Sequence, residues 1–199
     1  MTCHSQSNPL TRKWVRLCHA LILGLMLGLA HPGLAQKNSP SEYEIKAAMI
    51  YRFAQFLEWP TDLFESNQSP LHICIAGPDP FGNSIDLVLK DQSVGTHKLL
   101  ILRHPQVATA TNCHLIFISR GQASETEKLL ALLKGRPVLT IGEEDDFAKK
   151  GGHIRLYLQE NKLRFDINLA AMERSGLKMH SQVMKLATRI TLDGKDVKQ

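Results

Sequence analysis

No apolar run in this 199-residue chain reaches the ~20 residues needed to cross a membrane; the longest is the eleven residues Ala20–Ala30. Cysteine is sparse. Four are too few for a miniprotein built on disulfides, and no C-x-x-C is present, which argues against dithiol redox catalysis. Pro and Gly together number only 22, and no internal repeat or low-complexity tract occurs, so collagen-like and disordered classes are set aside. Neither G-x-S-x-G nor H-E-x-x-H is found. What remains is ordinary globular composition, 43% apolar and 22% charged, with a net charge of +5.

Part of that charge belongs to the N-terminus. Arg12, Lys13 and Arg16 precede the apolar run, and Gly33-Leu34-Ala35 places small residues at −3 and −1 of a cut before Gln36. A basic n-region, a short h-region and small residues at the cut are the pattern of a cleavable export signal. Residues 1–35 are therefore expected to be a signal peptide and 36–41 a short linker. A single domain is expected over 42–191 and a frayed tail over 192–199. The absence of cysteine just after the cut argues against a lipid anchor. Cleavage leaves 164 residues with 21 Lys+Arg against 19 Asp+Glu, a charge of +2, and no basic run longer than a pair. Nucleic acid, which demands clustered positive charge, is rejected as a partner.

Beyond the signal, helical and strand periodicities alternate. Ser41 and Glu44 have capping-box spacing, and Ile45, Met49, Phe53, Phe56 and Leu57 recur at helical intervals, predicting a helix that stops near Trp59 because Pro60 follows. Leu71–Ala76, Leu99–Leu102, Cys113–Ile118 and Pro137–Ile141 are continuous apolar strands, with helices predicted after Phe81 and from Ser124 to Leu133. Such strands alternating with helices indicate an α/β fold, a mostly parallel sheet covered on both faces in the three-layer flavodoxin or Rossmann manner. After Gly151-Gly152 the period changes to two. Ile154–Gln159 and Leu163–Asn168 predict an added antiparallel hairpin near the C-terminus. Ala170–Arg174 and the set Val183, Leu186, Ala187 and Ile190 predict two last helices.

Cys74 and Cys113 are the cysteines that survive export, into a compartment where disulfides persist. A bridge between them is the favoured reading and two buried thiols the other. A bridge would make the first and third strands neighbours, with the second outside, as in flavodoxin-like order. Candidate chemistry elsewhere is thin. Gly77–Gly82 imitates a phosphate loop but lacks the Lys and Ser/Thr such a loop needs, and reads as a βα turn. The six remaining histidines (His72, His97, His104, His114, His153 and His180) include no i, i+4 pair. The run Glu143–Asp146 lacks regular ligand spacing and reads as a solvated acidic loop. No metal or cofactor is expected. The hairpin's polar face (Arg155, Tyr157, Arg164, Asp166 and Asn168) serves either a partner or cross-strand pairing. Taken from the residues alone, the chain is an exported α/β domain that binds rather than catalyses. A hydrolase with a dispersed site and a small-molecule sensor remain alternatives.

Several segments resemble the YfiR family of exported bacterial proteins. They are Tyr43–Pro60 with its F-x-x-W-P exit, Ile73–Gly77 with Asp79–Gly82, Cys113–Ile118, Leu139–Gly142, Gly151–Ile154, Leu163–Asn168, and Gly176-Leu177 leading to Leu186-Ala187. They span roughly residues 42–190. The resemblance implies a periplasmic regulator, not an enzyme, that binds the periplasmic sensor domain of a membrane-bound diguanylate cyclase and represses it, and so acts in cyclic-di-GMP signalling. An outer-membrane lipoprotein that captures the repressor, and a homodimer, are further partners it implies or allows. Cys74 and Cys113 match the family's Cys-bearing strands, whereas the second cysteine pair of some relatives has no counterpart in 142–152. Residues expected at the docking surface are Trp59, Leu177 and Met179 as exposed apolar groups, with Arg164 and Asp166 on the hairpin as the alternative.

Overall fold

The structure, a computed structural model, describes residues 40–121, 123–192 and 195–197. The expected signal peptide, and all of the linker but Pro40 and Ser41, lie outside them.

Helix α1 (Glu42–Gln55) starts where the capping box predicts. The Glu44 N–H donates to Ser41 Oγ at 3.2 Å, and the Ser41 N–H donates to Glu44 Oε2 at 2.6 Å. It ends at Gln55 rather than near Trp59. Leu57–Glu58 instead form a short strand β1, which pairs antiparallel with β9 (Lys178–Met179), Leu57 opposite Met179. A long-range ladder thus overrides the local helical period.

Strands β2 (Leu71–Ala76), β4 (His97–Arg103), β5 (Leu115–Ile118) and β6 (Leu139–Gly142) are parallel neighbours in the order β4-β2-β5-β6. Helix α2 (Ser84–Leu89) follows β2, and α3 (Ala123–Leu133) follows β5. α3 thus begins one residue before the predicted start at Ser124. The two-residue strand β3 (Ser93–Val94) pairs with the start of β4. The hairpin forms as expected: β7 (Ile154–Gln159) and β8 (Lys162–Asn168) are antiparallel and turn through Glu160 and Asn161, both at positive φ (50° and 58°). It joins the main sheet through β6.

Helix α4 (Leu169–Arg174) is capped by Asn168, whose Oδ1 accepts the Ala171 N–H at 3.0 Å. The last predicted helix forms only as the single turn α5 (Ser181–Met184), because Arg189–Leu192 make strand β10 instead, parallel to β8. Lys195–Val197 form β11 and pair with β10, so this part of the expected frayed tail is strand. The described residues give a nine-stranded sheet in the order β11-β10-β8-β7-β6-β5-β2-β4-β3. One apolar core lies on the α1 and α2 face, around Ile50, Phe53, Ile73, Phe117 and Ile141. A second lies beneath α3 around Cys74, Ile116, Leu129 and Phe147.

Candidate interaction surface

Cys74 and Cys113 form a disulfide, with Cα atoms 6.0 Å apart across 39 positions. Cys74 lies in β2, and Cys113 stands two residues before β5. The neighbouring of the first and third strands, argued from the staple, is the arrangement found.

The stapled face is only partly covered. Beneath α3 the sheet is apolar and buried. On the other side of β2, β4 directs Leu100 and Leu102 to the same face as Cys74, and there they remain 45% and 37% exposed. β3 pairs only with His97 and Lys98. The outer backbone edge of Leu99–Arg103 therefore has no partner strand among the described residues. An apolar strip along an open edge is the arrangement that strand addition exploits.

At the amino ends of the strands, aromatic rings gather. Phe64 is sandwiched between His97 (centroids 3.7 Å apart) and His114 (4.7 Å), and His72 lies 5.5 Å from His114. The His72 backbone N–H donates to His114 Nδ1 at 3.0 Å, so that nitrogen is an acceptor and the ring is neutral. Burial chiefly, and the neighbouring His72 and His97, push its pKa below the usual imidazole value, against the Leu63 carbonyl. No group of His, Cys, Asp or Glu among the described residues has metal-binding geometry.

His153 is buried and its Nε2 stands 3.1 Å from Ser175 Oγ, which on spacing alone imitates a base and its nucleophile. The protons point the wrong way. His153 Nδ1 accepts the Thr140 N–H at 3.1 Å, so in the neutral ring Nε2 carries the hydrogen and donates to Ser175. Burial first, then the Arg174 charge, holds its pKa down at about 4. At neutral pH the ring cannot take the serine proton at Nε2.

The acidic run is neither a cation site nor a freely solvated loop. Glu143 is buried against Lys46, which also binds Glu42. Burial works against the Lys46 charge, but the hydrogen bonds to Glu143 and Glu42 outweigh it and leave the pKa raised. Glu144 and Asp146 pair with Lys150 at 3.1 and 3.2 Å, and Asp145 pairs with Arg155. Between these carboxylates and the hairpin sits Phe147, wholly buried, its ring wedged between Gly142 and Gly152. A Cβ on either glycine would come within 2.3 or 2.2 Å of it.

The imitation phosphate loop is a pinned turn. Arg103 Nε donates to Asp79 Oδ2 at 2.7 Å, and Arg103 Nη2 donates to the Gly82 carbonyl at 3.1 Å. The crevice at the carboxyl ends of the strands, where parallel sheets hold ligands, is nearly filled. The Ser119 hydroxyl lies against the carbonyls of Ala76 and Pro78, at 2.9 and 2.6 Å, and only about 50 Å³ stays open.

Of the residues expected at a docking surface, Leu177 and Met179 are 1% and 6% exposed in the core, because β9 is drawn inward by β1. Asp166 is likewise buried. It accepts from Tyr157 Oη at 3.1 Å and pairs with Arg155 at 3.5 Å, while the Arg155 guanidinium lies 4.1 Å over the Tyr157 ring. That part of the hairpin face supports the sheet. Trp59 is half-buried, its Nε1–H donating to the Ala54 carbonyl at 2.9 Å, and Arg164 is exposed. The exposed strip on β4 was missed: its apolar run reads equally as a fully buried strand, and exposure depends on what covers it.

A sequence model of the YfiR/HmsC-like family matches residues 43–188. The structure resembles the crystal structure of a conserved domain protein from Vibrio cholerae O1 biovar El Tor str. N16961, with a TM-score of 0.50 at 14% identity. The match covers 76% of this chain and 60% of that one, so this chain spans less than two thirds of that protein. At that identity the likeness is one of fold. The ABC domain in complex with L-Trp from Streptococcus pneumonia aligns with a TM-score of 0.48 at 10% identity, over 73% of this chain and 62% of that one.

Proposed function

The chain belongs to the YfiR/HmsC-like family, and from that membership we propose that it is exported by a cleaved signal and represses a membrane-bound diguanylate cyclase by binding the cyclase's periplasmic sensor domain. The family is one of periplasmic regulators of diguanylate cyclase rather than of catalysts. No helix among the described residues is long and apolar enough to cross a membrane.

The observation that carries the proposal is the uncovered strip of β4. Leu100 and Leu102 lie exposed beside an open strand edge, next to a disulfide that ties β2 to the segment leading into β5. A rigid edge suits recognition of one conformation of a partner. Repression requires that the sensor's resting state bind more tightly than its active state. Moving a two-state equilibrium from 1:99 to 99:1 takes about 5.5 kcal/mol of differential affinity. Trp59 and Arg164 are secondary candidates for the same partner. An outer-membrane lipoprotein that captures the repressor would relieve the effect, and a homodimer would compete for the strip.

Titration calorimetry with the isolated sensor domain tests the reading. Leu100→Glu with Leu102→Glu is expected to weaken binding at least about tenfold, or about 1.4 kcal/mol. The same variant is expected to leave cellular cyclic-di-GMP as high as deletion of the protein does. Unchanged affinity would remove β4 as the docking surface. A deletion that leaves cyclic-di-GMP unchanged would remove repression.

A further inference from the structure

Beside α3, on the disulfide-bearing side of the sheet, the C-terminal ends of α3 and α4 and the segment 149–151 line an open cavity of about 480 Å³. Thr140, His153 and Ser175 line it and are all buried. His153 donates from Nε2 to Ser175 Oγ, and the serine keeps a hydroxyl proton of its own to donate. The cavity thus has a hydroxyl donor held in place from behind.

The walls are cationic. Lys134, Lys149 and Arg174 line the cavity, and none forms an ion pair among the described residues. Lys150 also lines it but is engaged by Glu127, Glu144 and Asp146 at 3.6, 3.1 and 3.2 Å. Glu127 is the one carboxylate in the lining, and Lys150 answers it. An adjoining cavity of about 650 Å³ shares Lys149, Gly151 and Arg174, which widens the approach. Lys134 and Arg174 stand near helix C-termini, where a positive charge complements the free carbonyls. That accounts for each on its own helix. It does not account for their convergence, with Lys149, on one concavity. Like charges gathered around a recess repel one another and raise the local concentration of anions.

We propose that this cavity binds a small, doubly charged oxyanion of the phosphate or dicarboxylate type, clamped by Arg174 and Lys149, with Lys134 at the rim and the Ser175 hydroxyl donating from the floor. Three unpaired cations match a dianion better than a single carboxylate. The guanidinium supplies the planar double donor that such oxygens accept. Anion binding here is separate from partner docking at β4 and stands or falls without it.

The test is calorimetry on the exported form, with inorganic phosphate and succinate each compared against sodium chloride of equal ionic strength. Saturable binding of one or both is expected. Tighter phosphate binding would identify a phosphoryl ligand, and tighter succinate binding a dicarboxylate. A lost charge-assisted hydrogen bond predicts affinity at least about tenfold weaker in Arg174→Gln and Lys149→Gln. The exposed Lys178→Gln is expected to bind as wild type, which separates local contacts from net charge. A second readout is the His153 ring by NMR: its pKa should rise from about 4 on binding, because Arg174 is one of the groups holding it down. Failure of both anions to bind beyond the sodium chloride control overturns the proposal. So does wild-type affinity in the Arg174 and Lys149 variants, or a His153 signal that saturating ligand does not move.

Discussion

The buried imidazole of His153 makes the stability of this protein depend on pH in a defined window. In the unfolded chain the ring takes up its proton near 6.5, and in the folded protein only near 4. Between those values the unfolded state holds more protons, so acid favours unfolding. The stability conferred by keeping this ring neutral is complete above about pH 7. It is lost progressively as the pH falls toward 4, and changes no further below that. A displacement of this size amounts to about 3 kcal/mol, against a typical total of about 5–15 kcal/mol for a domain. His153→Gln removes the titration. It is also expected to cost about 1–3 kcal/mol at neutral pH, because the Thr140 N–H and Ser175 Oγ lose their partner. Urea unfolding of both proteins at pH 7.5, 6, 5 and 4 separates the two effects. Carboxylates and the other histidines titrate alike in both, so the wild type should lose about 3 kcal/mol more than the variant across the series. Parallel curves would refute the assignment, and so would an NMR titration showing His153 protonated above pH 6.

Other outcomes follow from the packing. Reduction of Cys74–Cys113, or Cys113→Ser, should lower stability by about 4 kcal/mol on the loop-closure estimate, read from the urea midpoint with and without reductant. Gly142→Ala and Gly152→Ala should each cost about 1–3 kcal/mol or more, because the methyl meets the enclosed Phe147 ring. Phe147→Leu in the same background should recover part of that loss in thermal melts. Lys46→Ala strands Glu143 and should cost about 3–5 kcal/mol, whereas Lys46→Met with Glu143→Leu should be near neutral. Equal losses in the two would show that the charge pair contributes net stability.

The residues quoted for the family resemblance have physical work in the folded chain. Phe165 packs edge-on against Phe53 at 5.0 Å, Asp166 gathers Arg155 and Tyr157, and Asn168 caps α4 while its Nδ2 donates to the Ala148 carbonyl at 2.8 Å. Gly142 and Gly152 flank one ring. These segments set the frame on which exposed residues can vary.

Local pattern alone was enough for the parallel strands, the capping box, the period-two hairpin and its place at the end of the chain. Apolar period and capping chemistry act within a few residues, and the sequence states them directly. The cysteine pair carried one long-range fact, the adjacency of β2 and β5, because a disulfide admits only a narrow Cα separation. Tertiary structure decided the rest. Leu57–Glu58 and Arg189–Leu192 became strands because distant partners, β9 and β8, offered them ladders. The same pairing drew Leu177 and Met179 inward, whereas the equally apolar Leu100 and Leu102 stayed at the surface, where nothing among the described residues buries them. Burial belongs to what packs against a residue, and the one-dimensional pattern does not contain it. The convergence of Lys134, Lys149 and Arg174 on one recess, from three separate segments, was invisible in the chain for the same reason.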